Sequence, residues 1–186
     1  MLVQSAHVAI TGISPMTISL YQAGVPTMIR ALNNLAFLLE KAAQQCEAKK
    51  WDQAALVNAR LFPDMFPLSK QVQIASDSAK GGAARLAQAT PPSFEDNETT
   101  FAQLIERCRK TVAYLETLKA EQIDGGEDRT VSWQTRSATK TMQGQPYLLN
   151  HVLPNVFFHV ATAYDILRHN GIEIGKQDFL GKFEPA

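Results

Sequence analysis

The chain has 186 residues, of which 45% are hydrophobic and 19% are charged, so it is long enough to bury the core of one soluble globular domain. Its 18 basic and 18 acidic residues cancel to a formal net charge of zero, which excludes the basic surface that non-specific nucleic-acid binding requires. We therefore expect no nucleic acid among its partners.

The first residues, "MLVQSAHVAITGISPM", carry neither a basic region nor a long apolar run. They predict no secretory signal and no membrane span, and we expect a cytoplasmic protein without a membrane partner. Because Met16 directly precedes the first helical pattern, we expect residues 1–15 to be an N-terminal extension and residues 16–186 to form one domain. Cys46 and Cys108 lack metal-ligand spacing, which is typical of buried thiols in a reducing compartment.

Three helical patterns occupy the first half of the chain. Apolar residues between positions 17 and 47 recur at steps of three and four residues, which predicts a long amphipathic helix. Pro26 predicts a kink in this helix or a start at Val25. A short helix should begin at about Asp52, and a second long helix should occupy residues 67–89.

The second half predicts two more long helices with an irregular connection between them. Thr100 and Gln103 form a capping box that begins the third long helix, and "DGGED" should end it. "RTVSWQTRSATKTMQGQP" alternates β-branched, aromatic and polar residues and favours a short hairpin or an extended crossover. The fourth long helix should span residues 147–169, with a kink or restart at Pro154 and a stop at Gly171.

Four long helices joined mostly by short links predict an all-α four-helix bundle. The bundle should carry an extra short helix and a short irregular or hairpin crossover before the last helix. Gly81 and Gly82 weaken the second long helix, and close packing against a neighbouring element would explain them.

The stretch "LLNHVLPNVFFHVATAYDILRHNG" places His151, Asn155 and His159 at four-residue steps, on one face of a helix. His151 and His159 lie two turns apart, about 12 Å along the helix axis, so they cannot share one metal ion directly. A zinc or nickel half-site on a helix needs two imidazoles one turn apart. The neighbours of His159 at that spacing are Asn155 and Ala163, so the pair is incomplete.

The order of these helices resembles the DinB/YfiT-like superfamily of metal-binding bundles. The shared features are an inward polar residue on the second helix, a crossover before the last helix and a core-facing histidine within it. "FHVATAYDILRHNG" and "IGKQDFLG" look like a branch of that superfamily whose function is unknown, and the likeness extends over residues 16–181. In its metal-binding members, one histidine of the second helix and two of the last hold a divalent ion. The resemblance places these positions on Gln71, Asn155 and His159.

The resemblance thus implies a degenerate metal site, because only His159 of the three is a histidine, and amide oxygens hold a transition metal weakly. The leading interpretation is a bundle that binds a small-molecule ligand in a polar pocket around His159, in a hydrogen-bonded network with Gln71 and Asn155. One alternative is a divalent-metal-dependent enzyme, in which His159 with Asn155, Gln71 or Asp77 holds Zn, Ni or Mn and activates water or a thiol. A second is a structural dimerising module, and a homodimer is expected in any case.

Overall fold

The structure is a computed structural model that describes residues 18–135 and 137–182. Apart from one antiparallel pair of strands, the regular elements of these residues are helical. In chain order they are α1 (Leu20–Lys49), α2 (Gln53–Val57), α3 (Leu68–Leu86), α4 (Phe101–Thr117), α5 (Ala120–Ile123), β1 (Thr130–Gln134), β2 (Thr139–Gln143), α6 (Gly144–Tyr147), a π-helical turn (Leu148–Val152), α7 (Leu153–His169) and α8 (Lys176–Leu180).

The long helices α1, α3, α4 and α7 form a four-helix bundle. Both α1 and α3 pack against α4 and α7, so α1 and α3 lie diagonally across the bundle. Apolar side chains at helical spacing fill its centre, among them Leu32, Leu35 and Leu39 of α1 and Leu104 and Leu115 of α4. The predicted all-α bundle is confirmed, including the extra short helix α2 and the hairpin before the last helix.

The first helix begins at a capping box that the periodicity did not reveal. The Ser19 hydroxyl accepts a hydrogen bond from the Gln22 backbone N–H, and the Gln22 side chain accepts one from the Ser19 N–H. Helix α1 therefore starts at Leu20 and continues through Pro26, so the predicted start at Val25 is wrong. Gln22 and Pro26 both lie on the exposed face, where water can bond the carbonyl that proline leaves unpaired.

The capping box of Thr100 and Gln103 is present at the start of α4, as predicted. The helix ends at Thr117, which is earlier than the predicted end near "DGGED". The reason is Leu118, which is extended (φ −78°, ψ 138°) and turns its side chain into the core, where it is 5% exposed. The short helix α5 then completes the connection.

The predicted hairpin forms between β1 and β2, with Trp133 opposite Lys140. Val131 of β1 is buried and attaches the hairpin to the bundle. Glycine is required immediately after β2, since a side chain at Gly144 would collide with the carbonyl oxygen of Gly126. This close crossing of two backbone segments fixes where the chain enters the last helical region.

The last helical region runs from Gly144 to His169 without a break, but it contains a π-helical turn. This π-helical turn joins α6 to α7, and Pro154 is the second residue of α7, directly after the turn. Helix α7 ends at His169 and is followed by Gly171 at φ +87°, which confirms the predicted stop. The tail then returns over α1, where Lys41 pairs with Asp178 at 2.9 Å.

No helix within residues 18–135 and 137–182 combines the length and the apolarity that a membrane span requires. The predicted extension, residues 1–15, lies outside the described residues.

Candidate functional site

A hydrogen bond between Gln71 and His159 joins the buried faces of α3 and α7. His159 Nδ1 lies 2.7 Å from Gln71 Oε1, and Gln71 Nε2 donates to the Phe66 carbonyl oxygen at 3.0 Å. Because a carbonyl oxygen only accepts, the NH₂ group of Gln71 must face Phe66 and its oxygen must face the imidazole. Nδ1 therefore carries a proton, and the neutral ring has its lone pair on Nε2. Gln71 thus fixes the tautomer of His159.

His159 is 9% exposed and stands perpendicular to the ring of Phe158, with the ring centroids 5.1 Å apart. Burial lowers the pKa of His159 below its ordinary value, so the imidazole is neutral at pH 7. Among the described residues, no side chain is hydrogen-bonded to its Nε2. A neutral ring with an available lone pair can accept a hydrogen bond or a proton from a ligand.

Asn155, one turn before His159 on α7, bonds elsewhere. Its Nδ2 donates to the His151 carbonyl oxygen at 2.6 Å and lies 3.5 Å from His151 Nδ1. The expected network of Gln71, Asn155 and His159 is therefore divided into two pairs, Gln71 with His159 and Asn155 with His151.

His151 belongs to the π-helical turn and is held in an aromatic cluster. Its ring stacks on Trp133 of β1, with centroids 4.7 Å apart and planes at 29°, and it lies 5.5 Å from the ring of Tyr147. Burial, together with the nearby cations of Lys140 and Arg85, lowers the pKa of His151. This imidazole is therefore also neutral at pH 7.

A cleft of about 190 Å³ opens between α3 and the π-helical turn, and we call it the polar cleft. Arg85 on its wall donates from Nη1 to the Tyr147 hydroxyl at 3.2 Å. Asn155 also lines the cleft. His159 lies one helical turn beyond Asn155 on α7, and neither His159 nor its partner Gln71 is part of the lining. The lining residues are Asp77, Ser78, Arg85, Tyr147, His151, Val152 and Asn155.

Two adjacent glycines of α3 shape this cleft. A Cβ on Gly82 would lie 2.8 Å from Cγ2 of Val152, so glycine allows the π-helical turn to approach α3 closely. A Cβ on Gly81 would lie 2.9 Å from Nη1 of Arg85, so glycine also leaves room for the guanidinium. The close packing predicted for these glycines is confirmed at Gly82, while Gly81 accommodates a cation.

Asp77, which also lines the polar cleft from α3, belongs to an ionic cluster around Arg107. The buried Arg107 guanidinium pairs with Asp77 at 2.8 Å, with Asp96 at 3.0 Å and with Glu98 at 2.8 Å. Lys80 pairs with the same oxygen of Asp77 as Arg107 does. Burial raises the pKa of Glu98. Hydrogen bonds to its carboxylate, the strongest from Arg107, lower the pKa by more, so the net shift is downward. The charge of Asp77 is therefore already offset by two cations.

Larger cavities lie on other faces of the bundle. One of about 340 Å³ borders Arg107 and the connection before α4, where the guanidinium is already paired with carboxylates. Another, of about 250 Å³, lies between α1, α7 and α8, and Phe157, Val160 and Phe179 contribute to its walls. Neither has a histidine in its lining. The polar cleft brings an imidazole, a guanidinium and an amide together.

The side chains around His159 do not fit the metal centre that the resemblance implies. His159 offers one imidazole nitrogen, because Nδ1 is bonded to Gln71, and Asn155 is bonded to His151. Asp77 is ion-paired with two cations. Within the described part of the chain, no three His, Cys, Asp or Glu side chains converge as a metal site requires. The chemistry of these donors favours hydrogen bonding over coordination of Zn, Ni or Mn.

Both cysteines are buried and free, which agrees with the sequence-based expectation. Burial raises the pKa of Cys46, and it raises that of Cys108 to about 12. The reactive thiolate is therefore scarce at pH 7, and neither residue is a candidate nucleophile.

Comparisons with known proteins agree with this fold. Residues 20–180 match the model of a family described as Domain of unknown function (DUF1993). Among solved structures, the chain is similar to the crystal structure of a DinB family member protein from Shewanella denitrificans. The two are 38% identical with a TM-score of 0.82, over 90% of this chain and 94% of that one. No curated protein matches the chain.

Proposed function

Because the chain belongs to the DUF1993 family and shares the fold of a DinB family member, we propose that it is a ligand-binding bundle with a degenerate metal site. Hydrogen-bonding side chains take the place of metal ligands, and the polar cleft, one helical turn from His159, holds a small polar molecule. The observation that carries this function is the convergence of Arg85, His151 and Asn155 on one cavity of about 190 Å³.

The cleft is preorganised for such a ligand. The bond from Asn155 to the His151 carbonyl fixes the amide so that Oδ1 is the acceptor left for a ligand. Trp133 and Tyr147 hold the ring of His151, and Tyr147 also holds Arg85. Groups that are already oriented lose little entropy on binding, which favours affinity. The volume is below the roughly 300–1,000 Å³ of clefts for drug-sized molecules, so the ligand is small.

The Gln71–His159 pair supports the cleft from the neighbouring turn. It links α3 to α7 across the interface, and it leaves Nε2 of His159 unprotonated. In the metal-binding members that this chain resembles, these positions coordinate an ion. Here Gln71 and His159 join the two helices by a hydrogen bond instead.

The test is a screen of polar fragments against untagged protein in the presence of a chelator. Binding is monitored through the NMR signals of the histidine imidazoles. Binding in the polar cleft should shift the signals of His151 saturably. His169 is exposed at the end of α7, so its signals should stay in place and serve as an internal control.

Two asparagine variants sharpen this test. Asn155→Ala removes the amide from the cleft and should abolish or strongly weaken the His151 shifts. Asn170→Ala is the matched control, because Asn170 also donates to the carbonyl four residues earlier, here that of Ile166, at the far end of α7. Equal loss of binding in both variants would contradict the proposed site.

The alternatives give different results in the same screen. A metal-dependent enzyme would respond to fragments only after Zn, Ni or Mn is supplied, and it would lose metal in His159→Ala. A dimerising module would bind no fragment under either condition and would tolerate His159→Leu. Either result would contradict the ligand-binding function.

We also propose that the protein is a homodimer. Support comes from Leu149, Phe157 and Phe158, which are 44%, 40% and 57% exposed on the last helical region. Sedimentation equilibrium of the wild type and of Phe158→Ser tests this, with Phe62→Ser as the control on a different exposed phenylalanine. A monomeric wild type would contradict it.

A further inference from the structure

The polar cleft contains a cation without an ionic partner. Among the described residues, Arg107 and Arg109 are paired with carboxylates, whereas no salt bridge involves Arg85. The hydrogen bond that Arg85 makes is to the neutral hydroxyl of Tyr147. Most of its N–H donors are therefore available to a ligand.

The surrounding structure fixes the position of the Arg85 guanidinium. The absence of a side chain at Gly81 gives the guanidinium room beside α3, since a Cβ there would lie 2.9 Å from Nη1. The hydroxyl of the buried Tyr147 then holds Nη1 at 3.2 Å. A small residue and a buried hydroxyl thus place Arg85 at the wall of the cleft.

The polar cleft is surrounded by an excess of positive charge. Lys140 and Arg85 both act on His151, where their charges and burial oppose protonation of the ring. Asp77 is the carboxylate of the lining, and Lys80 and Arg107 already bind its Oδ1. An anion in the cleft would offset a charge excess that the protein itself leaves in place.

We propose that the polar cleft binds a small organic carboxylate, with Arg85 as its counter-ion. This inference rests on the proposed ligand-binding function and names the ligand class. A guanidinium and a carboxylate match in planar geometry and can form two parallel hydrogen bonds. Ser78 and Tyr147 add hydroxyl donors to the lining, and Asn155 supplies an acceptor for a hydroxyl or amine carried by the ligand.

The experiment is a titration of the full chain with sodium acetate at constant ionic strength. Binding is monitored through the NMR signals of His151. Acetamide serves as the neutral isostere and sodium phosphate as a different anion. Acetate should shift His151 saturably, and acetamide and phosphate should bind at least about tenfold more weakly.

Three variants locate the interaction. Arg85→Gln removes the charge and should weaken acetate binding about tenfold to a hundredfold. Gly81→Ala keeps the charge but displaces the guanidinium, and it should weaken binding to a smaller extent. Arg109→Gln, an exposed arginine on α4, should leave affinity unchanged. Melting curves check that each variant is folded, and Arg85 is itself exposed, so its loss should leave the fold intact.

The outcomes separate the ligand class from the function. If acetamide or phosphate binds as well as acetate, or if Arg85→Gln has no effect on acetate, the carboxylate assignment is overturned while ligand binding stands. If neither these probes nor the polar fragments move the His151 signals, the proposed function itself fails. Saturable acetate binding that depends on Arg85 supports both.

Discussion

Substitution of Gly82 by alanine tests whether the π-helical turn packs against α3 as closely as the structure places it. The added Cβ would lie 2.8 Å from one methyl carbon of Val152 and closer still to the other. Val152 is buried, at 2% exposure, and it cannot move aside without shifting the turn that carries His151. The neighbouring Gly81 provides a control in the same helix, because a Cβ there meets the end of the flexible Arg85 side chain.

For this reason the two substitutions should differ in the sign or size of their effect on the free energy of unfolding. Alanine in the middle of a helix is favoured over glycine by about 1 kcal/mol, and this gain applies to both positions. Overpacking a tight contact costs about 1–3 kcal/mol, and this cost applies to Gly82→Ala. We therefore expect Gly81→Ala to be neutral or stabilising and Gly82→Ala to be about 1–3 kcal/mol less stable than Gly81→Ala.

Urea unfolding of both variants measures this difference, and melting temperatures should differ by about 2–4 °C per kcal/mol for a chain of this size. Combining Gly82→Ala with Val152→Ala removes the two methyl groups from the collision. The double mutant should therefore be more stable than the sum of the single effects predicts. The packing would be refuted if Gly82→Ala were as stable as Gly81→Ala and showed no coupling to Val152.

Further predictions concern the polar interior. Gln71→Leu removes the acceptor of the buried Nδ1–H of His159 and should lower the free energy of unfolding in urea by about 1–3 kcal/mol. Adding His159→Leu should restore most of the lost stability. A double mutant that restores none would contradict the pairing. Arg107→Leu leaves Glu98, whose side chain is 10% exposed, without its ion pair. The cost should be about 3 kcal/mol, the lower end for a broken buried pair, because the other carboxylates are 43% and 38% exposed. An unchanged urea midpoint would contradict it. Since the pKa values of His151 and His159 are lowered on folding, the unfolded chain binds more protons just below about pH 6.5. Their contribution to the unfolding free energy should be complete above that pH and be lost as the pH falls through the lowered pKa values. His159→Gln should flatten part of this fall, and an unchanged slope would argue against a lowered pKa of His159.

The helices followed from hydrophobic periodicity because each long helix buries one stripe of side chains. The capping box at Thr100 could be read directly from the sequence, whereas the one formed by Ser19 and Gln22 was not predicted, although both residues have the required types and spacing. The early end of α4 could not be read, since it depends on the burial of Leu118, a tertiary effect. Local patterns therefore predicted the elements, while tertiary packing set the end of α4.

The site was harder to predict because it depends on the π-helical turn. Regular α-helical spacing correctly placed His159 in the core, where it meets Gln71. The same spacing cannot be carried from His159 back to His151. A π-helical turn bonds residues five apart rather than four apart, and it therefore rotates the side chains that precede it. Arg85 was missed for a related reason, since its role depends on space at Gly81 and on the distant Tyr147.

Metal content distinguishes a hydrogen-bonded site from a metal centre most directly. Untagged protein is purified without chelator, incubated with Zn, Ni or Mn, dialysed and subjected to elemental analysis beside His159→Ala. Because Gln71 takes Nδ1 of His159, and no second imidazole joins it among the described residues, we expect no stoichiometric metal in either protein. About one ion per wild-type chain and none in His159→Ala would contradict the ligand-binding account and restore the metal-dependent alternative.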